Sequence, residues 1–412
     1  MSPDEARTAR EPDDLLSESE ALHERVRGFA RASLGGTQGD ERFEDLALEI
    51  AQYQARRIPG YARLVESRGV LLERFDSIVA VPTDVFRLTR VAAHAGEHDV
   101  ASFHTSGTTA ALSGKHHFRT LKTYEELSLA FGRRALTSVF GGQRVVVALA
   151  PPPSQAPHSS LGHMLSLFMN RWDGRALSVA PRGAVYDPES SGRWLGGSGG
   201  IDLEGLRRAA LVALERQEPL LVLATSFALV AMLDGLAGAL VPAPKRTIVM
   251  YTGGFKGRSR EVKPEELRCE IARVFRIPEV QVMGEYGMTE LTSQLYEATL
   301  PGGDLSAPKG VYLEPPWLRV IPVDPVSLKP VRFGEVGLAK IVDLGNVDSA
   351  VAILTQDLVR RVAIGQIEPG DEEPGRSLES GVELLGRRKG SPVRGCSLSF
   401  ESWIVGAREG VA

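Results

Sequence analysis

The stretch Gly284-Glu285-Tyr286-Gly287-Met288-Thr289-Glu290 decides how this chain is interpreted. It places an aromatic ring, a hydroxyl group and two carboxylates around a glycine hinge. A nucleotide site uses such groups, because a flat ring contacts a base, a hydroxyl reaches a phosphate oxygen and a carboxylate binds Mg²⁺. The run before it, Ile277 to Met283, predicts a short buried strand. The stretch therefore predicts a nucleotide-binding loop at the end of a strand.

A second polar loop lies far upstream and supports the same interpretation. It consists of Thr105, Ser106, Gly107, Thr108 and Thr109. Hydroxyl and backbone N–H groups on such a loop can surround phosphate oxygens, and Gly107 allows the backbone to approach them closely. The loop lacks the spacing of a P-loop. Taken alone it is better explained as a solvated Ser/Thr turn, so its weight comes from its pairing with the first stretch.

Two further loops follow predicted strands. Lys256 lies in the loop Tyr251 to Arg258, and ligands of parallel α/β sheets gather beyond the carboxyl ends of strands. An ordinary turn between a strand and a helix explains that loop equally well. Asp357 ends the apolar run Val351 to Leu354, where a carboxylate can bind the hydroxyls of a ribose or simply cap a turn.

Composition excludes several classes of protein. The chain has 412 residues, of which 43% are hydrophobic, and a net charge of −4. This balance gives no broad electrostatic surface for nucleic acid or an anionic membrane. The acidic N-terminus does not have the pattern of a signal peptide. The longest apolar run, Leu220 to Leu233, is too short to cross a bilayer and predicts a strand leading into a core helix. We expect a cytoplasmic protein without a membrane span.

The order of elements predicts an α/β fold with layered, largely parallel sheets. From Tyr312 onwards, short β-rich runs predict a distorted β subdomain. The predicted organisation is an N-terminal helical or mobile segment at 1–40, a large domain at 41–365, a linker at 366–380 and a short C-terminal segment at 381–412. The main predicted helices are 17–32, 41–57, 124–139, 159–169, 203–215, 227–240 and 264–275, and the main predicted strands are 144–150, 219–224, 247–252, 318–323 and 336–344.

Of the two cysteines, Cys396 is the candidate for chemistry. Arg387, Arg388, Lys389 and Arg394 precede it closely, and nearby cations favour the reactive thiolate. The alternative is a small buried hydrophobic residue. Cys269 lies beside the apolar stripe of a predicted helix and is expected to take no part. Two cysteines allow no disulfide framework and no cysteine-rich metal site.

The four loops, in this order, resemble those of the adenylate-forming ligase superfamily. Within it, the chain resembles the LuxE-type acyl-protein synthetases more closely than the acyl-CoA synthetases. The resemblance covers roughly Phe103 to Glu401. Besides the loops, it rests on Ser159-Ser160-Leu161 with Met164, Gly253-Gly254-Phe255-Lys256, Gly334-Glu335-Val336-Gly337-Leu338 and the ending Gly386-Arg387 to Arg394-Gly395-Cys396-Ser397-Leu398.

The resemblance implies a large adenylation domain with a truncated C-terminal piece and a two-step reaction. A carboxylic acid, expected from this resemblance to be a fatty acid, would be activated by ATP as an acyl-adenylate and then passed to a thiol of the enzyme. From there it would reach a partner acyl reductase or another acyl-accepting protein. By motif, the loop at 105–109 would hold the β- and γ-phosphates and Lys256 would be catalytic. Tyr286, flanked by Gly284 and Gly287, would stack on adenine, Thr289 would contact the α-phosphate, Glu290 would bind Mg²⁺, Asp357 would bind the ribose and Cys396 would accept the acyl group.

Two departures from the superfamily pattern keep other functions open. Ala110 stands where the phosphate loop commonly has glycine, and no lysine-bearing terminal motif follows Asp357. One alternative is an adenylating ligase that transfers to CoA or another small acceptor. The other is a non-catalytic acyl- or nucleotide-binding subunit of a reductase complex.

Overall fold

The structure is a computed structural model that describes residues 12–36, 39–105, 113–173, 192–197, 200–253, 262–364 and 380–388. The side chains of 12–15 are not described. Several predicted features lie outside these ranges: Ser106, Gly107, Thr108, Thr109, Lys256, Cys396, nearly all of the linker 366–380 and residues 389–412.

Helices and strands alternate through the middle of the chain. The helices are α1 (Pro12–Gly35), α2 (Phe43–Arg57), α3 (Pro59–Ser67), α4 (Lys122–Leu136), α5 (Ser160–Trp172), α6 (Leu203–Glu215), α7 (Ser226–Leu236) and α8 (Pro264–Phe275). The strands are β1 (Val81–Pro82), β2 (Ala101–His104), β3 (Lys115–Phe118), β4 (Val145–Leu149), β5 (Gly196–Gly197), β6 (Gly200–Ile201), β7 (Leu220–Thr225), β8 (Thr247–Thr252), β9 (Val282–Tyr286), β10 (Leu295–Glu297), β11 (Val311–Leu313), β12 (Leu318–Val323), β13 (Val336–Asp343), β14 (Ala352–Ala363) and β15 (Ser380–Arg387).

Local sequence signals account for most of these boundaries. Asp202 caps α6 by accepting a hydrogen bond from the Gly205 N–H at 2.8 Å, and Ser159 caps α5 in the same way. The predicted helices 203–215 and 264–275 and the strand 247–252 agree with the structure residue for residue. The apolar run 220–233 divides into β7 and most of α7. None of the helices in the described ranges is long and apolar enough to cross a membrane.

One mixed sheet connects the strands in the order β12-β13-β14-β15-β11-β10-β9-β8-β7-β4, with β1 pairing alongside β14. Strands β4, β7, β8 and β9 are parallel, as the sequence predicts. From β10 onwards, neighbouring strands pair antiparallel. The predicted β subdomain therefore continues the parallel part of the sheet through hydrogen bonds between β9 and β10.

The strand predicted at Ile277 to Met283 is wrong in its position. Residues Glu279–Gln281 form a 3₁₀ turn, and β9 begins only at Val282 and runs through Tyr286. Pro278 lacks an N–H for strand pairing and leads into the turn. The Gln281 side chain donates to the backbone oxygens of Lys245 and Thr247, which fixes the turn below the sheet. The first three residues of the deciding stretch are therefore part of the strand.

Apolar side chains fill both faces of the parallel strands. Residues of β4 alternate between two hydrophobic clusters, with Val146 and Ala148 on the side of α4 and α5, and Val145, Val147 and Leu149 on the side of α6, α7 and α8. This burial on both faces explains why the strand has an uninterrupted apolar sequence. The predicted stripe of α2, formed by Phe43, Leu46, Ile50 and Tyr53, is 0–4% exposed.

Helix α1 is attached to the domain by Asp348, in the connection between β13 and β14. Asp348 Oδ1 accepts hydrogen bonds from Ser19 Oγ at 2.6 Å and Tyr53 Oη at 3.0 Å. Its Oδ2 lies 3.0 Å from His23 Nε2 and 3.3 Å from Arg119 Nε. Burial acts to raise the pKa of Asp348, but the bonds from His23 and Ser19 and the charge of Arg119 hold it well below its usual range.

Asp348→Asn is expected to lower the free energy of unfolding at pH 7 by about 2 kcal/mol, because the amide loses the charge-assisted bonds to His23 and Arg119. The stabilisation from a depressed carboxyl pKa is present above the unfolded-state pKa and is lost as pH falls. The difference between the two proteins should therefore narrow below about pH 4. Urea unfolding between pH 3 and pH 8 measures this, and a constant difference across that range would contradict the assignment.

Candidate nucleotide site

Two predicted nucleotide residues meet although they are far apart in sequence. The Tyr286 hydroxyl, at the end of β9, donates a hydrogen bond to Asp357 Oδ2 of β14 at 2.8 Å. Asp357 N–H donates to Thr355 Oγ1 at 3.0 Å, and Arg387 Nε of β15 lies 4.0 Å from Asp357 Oδ1. A carboxylate has about four acceptor positions, so Asp357 keeps capacity for ligand hydroxyls. The bond fixes the orientation of the Tyr286 ring.

Thr289 lies beside the base of the upstream loop. Its Oγ1 is 3.5 Å from the backbone oxygen of His104, the last residue of β2. Its own backbone oxygen accepts a hydrogen bond from His116 Nδ1 at 2.8 Å. Burial lowers the pKa of His116 to about 4, so at neutral pH the ring is uncharged and its Nδ1 carries the proton that is donated. Strands β2 and β3 thus support the backbone that follows Tyr286.

The upstream loop is closed at its base by reciprocal bonds between Thr105 and Gly114. Thr105 N–H donates to the Gly114 oxygen at 2.9 Å, and Gly114 N–H donates to Thr105 Oγ1 at 2.8 Å. Lys115 follows in β3, paired in register with His104. The loop residues 106–112 lie outside the described ranges, so their predicted contacts with phosphates stay predictions.

Glu290 is 8% exposed and is followed by a firmly held segment. Asn346 Nδ2 donates to the Glu290 backbone oxygen at 2.9 Å. Asp343 accepts bonds from the N–H groups of Thr292 and Ser293 at 3.0 and 2.9 Å, and from Ser293 Oγ at 2.7 Å. These bonds fix the backbone that follows the Glu290 side chain. Within the described ranges, no group of three or more His, Cys, Asp or Glu residues could hold a metal alone.

Position 284 requires glycine because there is no room for a side chain, and not because the backbone must be flexible there. A Cβ at this position would collide with the Tyr312 hydroxyl and lie 2.8 Å from Glu297 Oε2. Glu297 is 1% exposed and accepts hydrogen bonds from Gly284 N–H at 2.6 Å, Gly310 N–H at 2.6 Å and Arg268 Nη2 at 2.9 Å. This buried ion pair fixes the strand that presents Tyr286.

Glu285 is a buried carboxyl within strand β9. It lies in β9, opposite Thr252 of β8 and Tyr296 of β10, and is 5% exposed. Burial raises its pKa from 4.5 to about 7, although a hydrogen bond from Thr252 opposes this. Within the described part of the chain, Glu285 has no ion-pair partner.

Glu285→Gln is expected to stabilise the protein at pH 8 but not at pH 4.5. A carboxyl with a raised pKa binds its proton more tightly in the folded state, so its contribution to stability falls as pH rises from 4.5 to about 7. The shift corresponds to roughly 3 kcal/mol above pH 7. Denaturant unfolding over this pH range measures the effect, with Glu73→Gln at an exposed position as control. Equal pH profiles of wild type and Glu285→Gln would contradict the raised pKa.

The roles of His116 and Glu297 were not predicted from the sequence. His116 is buried and donates a hydrogen bond to the Thr289 backbone oxygen. The alternation of Lys115-His116-His117-Phe118, with Phe118 as its apolar member, places His116 on the inner face and could have indicated this. Glu297 gives no comparable signal, because its partners Arg268 and Gly310 belong to other elements.

The chain is similar to known proteins both in sequence and in fold. No protein-family model matches the chain. The chain is 27% identical over 169 residues to a long-chain-fatty-acid–luciferin-component ligase of Vibrio harveyi, covering 40% of each protein. It is 32% identical over 90 residues to the ligase of the same name from Aliivibrio fischeri, covering 22% of each. The chain thus matches less than half the length of these curated relatives.

Solved structures match over more of the chain. 2-Hydroxyisobutyryl-CoA ligase in an open conformation has a TM-score of 0.52 at 11% identity, covering 84% of this chain and 75% of that one. The same ligase in its thioesterification state has a TM-score of 0.54 at 11% identity, covering 92% and 72%. This chain has the fold of the adenylate-forming ligases. The resemblance to LuxE-type proteins seen in the sequence is confirmed as a partial similarity to two such ligases.

Proposed function

We propose that this protein is an ATP- and Mg²⁺-dependent ligase that activates a carboxylic acid as its acyl-adenylate. The acyl group then passes, with release of AMP, to the thiol of Cys396, to a partner protein such as an acyl reductase, or to both in turn. The adenylate-forming fold and the partial similarity to two fatty-acid ligases support the first step. The second step rests on the sequence around Cys396.

The observation that carries the proposal is the 2.8 Å hydrogen bond between Tyr286 and Asp357. The resemblance to the adenylate-forming ligases assigns Tyr286 to the base and Asp357 to the ribose of one nucleoside. Their side chains share a hydrogen bond across 71 positions of sequence. Two turns without a shared function would not be expected to place these side chains within hydrogen-bonding distance.

The adenylation step requires charge stabilisation and little proton transfer. A carboxylate oxygen of the acid forms a bond to the α-phosphorus of ATP, and the bond between that phosphorus and the bridging oxygen breaks. Pyrophosphate leaves with the electron pair. In this proposal the Thr289 hydroxyl donates to the α-phosphate, while the loop at 105–109 and Lys256 contact the leaving phosphates. Tyr286 and Asp357 hold the nucleoside in line.

Glu290 is the proposed ligand of Mg²⁺. In nucleotide sites Mg²⁺ uses one or two carboxylates together with substrate phosphates and water. A single buried carboxylate beside the proposed phosphate residues suits that requirement. When bound, the ion supplies positive charge to the departing pyrophosphate.

Acid-dependent exchange of radioactive pyrophosphate into ATP tests the first step. A panel of fatty and aryl acids should give exchange with at least one acid. If no acid supports exchange while calorimetry detects nucleotide binding, the protein is instead a non-catalytic binding subunit.

Thioester labelling tests the second step. Radioactive acid and ATP should label the wild-type protein but not Cys396→Ser, with Cys269→Ser, at an exposed helix position, as the matched control. Equal labelling of all three proteins would remove Cys396 from the reaction. CoA is the second candidate acceptor, because the structural neighbour is a CoA ligase crystallised with CoA. Rapid consumption of the adenylate on addition of CoA would favour it.

A further inference from the structure

Glu285 lies next to the proposed nucleotide residues, and a Cβ built on Gly287 would lie 2.6 Å from Glu285 Oε1. It directly precedes Tyr286 in β9, and consecutive side chains of a strand point to opposite faces. Met283, two residues earlier on the same face, belongs to the hydrophobic cluster that contains α4 and α5. Glu285 and its neighbour Thr252 stand at the carboxyl ends of two parallel strands, where ligands of such sheets bind.

The side chains around Glu285 include polar groups whose hydrogen-bonding capacity is not fully used. Tyr296 lies directly opposite in β10, so both side chains share one face of the sheet. Tyr296 is 0% exposed, and its hydroxyl has no hydrogen-bond partner in the described part of the chain. Tyr124 of α4 is near enough for the Glu285 carboxylate to raise the pKa of its phenol, and its hydroxyl donates to the Ser160 oxygen at 3.1 Å.

Buried polar atoms of this kind require a partner. A buried carboxyl and a buried hydroxyl without full hydrogen bonding each destabilise the folded protein. Thr252 donates one hydrogen bond to Glu285, whereas a carboxyl has about four acceptor positions. A ligand that brings a donor would satisfy this cluster.

The layer behind the cluster is closely packed. Met164, Leu165 and Phe168 of α5 are 0–2% exposed. A Cβ on Gly132 of α4 would lie 2.7 Å from Phe168 Cζ and 3.3 Å from Tyr296 Oη. An alkyl chain of fatty-acid length cannot pass between α4 and α5 without displacing these side chains. A short acid that ends at Glu285 requires no such displacement.

We infer that the acid activated by this protein is short and carries a hydrogen-bond donor, a hydroxyl or an ammonium group, that is received by Glu285 and Tyr296. The inference rests on the proposed function and names the substrate class of the same site. Glu285 supplies acceptor oxygens, and the Tyr296 hydroxyl completes the hydrogen bonding around the donor. Acids that lack the donor leave the buried carboxyl unpaired and are disfavoured.

The test compares acids of equal length in pyrophosphate exchange. Butanoate, 4-hydroxybutanoate and 4-aminobutanoate form one set, the corresponding eight-carbon acids a second, and tetradecanoate represents fatty acids. The donor-bearing acid of a set should have a kcat/KM about tenfold or more above that of its plain counterpart. Comparison of the hydroxy acids with the amino acids distinguishes a hydroxyl donor from an ammonium donor. A preference for tetradecanoate or for plain acids would overturn the inference and leave the proposed function intact.

Substitutions of Glu285 and Tyr296 test whether these two residues cause the preference for donor-bearing acids. Tyr296→Phe removes one oxygen, and Glu285→Leu removes the carboxyl. Each should lower the ratio of kcat/KM for donor-bearing over plain acid, with the larger change in Glu285→Leu, whereas a merely structural role would lower both values equally. An unchanged ratio in both variants would overturn the assignment. If no acid supports exchange, the proposed function fails, and calorimetric binding of the same acids then decides the inference separately.

Discussion

Glu297→Gln is expected to lower the free energy of unfolding by about 4 kcal/mol. The substitution leaves the Arg268 guanidinium buried without its charge partner, and breaking one side of a buried ion pair costs about 3–5 kcal/mol. The new amide also turns a donor towards the N–H groups of Gly284 and Gly310, which both donate to Glu297. Chemical denaturation at pH 7 measures the loss.

A double variant provides the control for the ion pair. Arg268→Met removes the orphaned charge, so the double variant Arg268→Met/Glu297→Gln should be more stable than the sum of the two single changes predicts. Strict additivity would show that the two side chains do not interact in solution. Because Gly284 N–H is held by Glu297, the single variant should also lose nucleotide affinity more than the surface variant Glu279→Gln.

Glu290→Gln is expected to reduce the rate of acid-dependent pyrophosphate exchange by on the order of 10²-fold. The change keeps the shape of the side chain and removes the charge proposed to hold Mg²⁺, and loss of one electrostatic contact in an active site has effects of this size. The folded structure should survive, because Asn346 binds the backbone oxygen of Glu290, which the substitution leaves in place.

The dependence on Mg²⁺ separates a metal ligand from a structural residue. In Glu290→Gln, the Mg²⁺ concentration for half-maximal exchange should rise. Glu279→Gln makes the same change of charge at an exposed position and should leave that concentration unaltered. Exchange by Glu290→Gln within twofold of the wild-type rate would remove Glu290 from the metal site.

Sequence patterns predict the α/β part of this fold well because its signals are local. The apolar run of β4 and the caps of α5 and α6 depend on neighbours within a few residues. The position of β9 shows the limit of such local signals. Ile277 and Val280 favour a strand, whereas Pro278 and the long-range hydrogen bonds of Gln281 impose a turn.

The same distinction applies to the site. Tyr286, Thr289, Glu290 and Asp357 belong to short motifs that can be read from the sequence. Of their supports, Glu297 and Asn346 could not be predicted, because they act on backbone atoms of distant segments. A buried hydrogen bond from a side chain to a remote backbone leaves no periodic pattern. The groups proposed for the chemistry can therefore be identified from the sequence, whereas most of the groups that hold them cannot.

The attachment of α1 by Asp348 has a consequence for synthesis of the chain. Ser19 and Asp348 are separated by 329 residues, so α1 leaves the ribosome long before its anchor is made. At about 5–20 residues per second, the interval is roughly 15–70 s. During this time the apolar stripe of α1 cannot pack in its final position. Closure of so long a loop also comes late in folding. The nascent helix therefore lacks its anchor until nearly the whole chain has been synthesised.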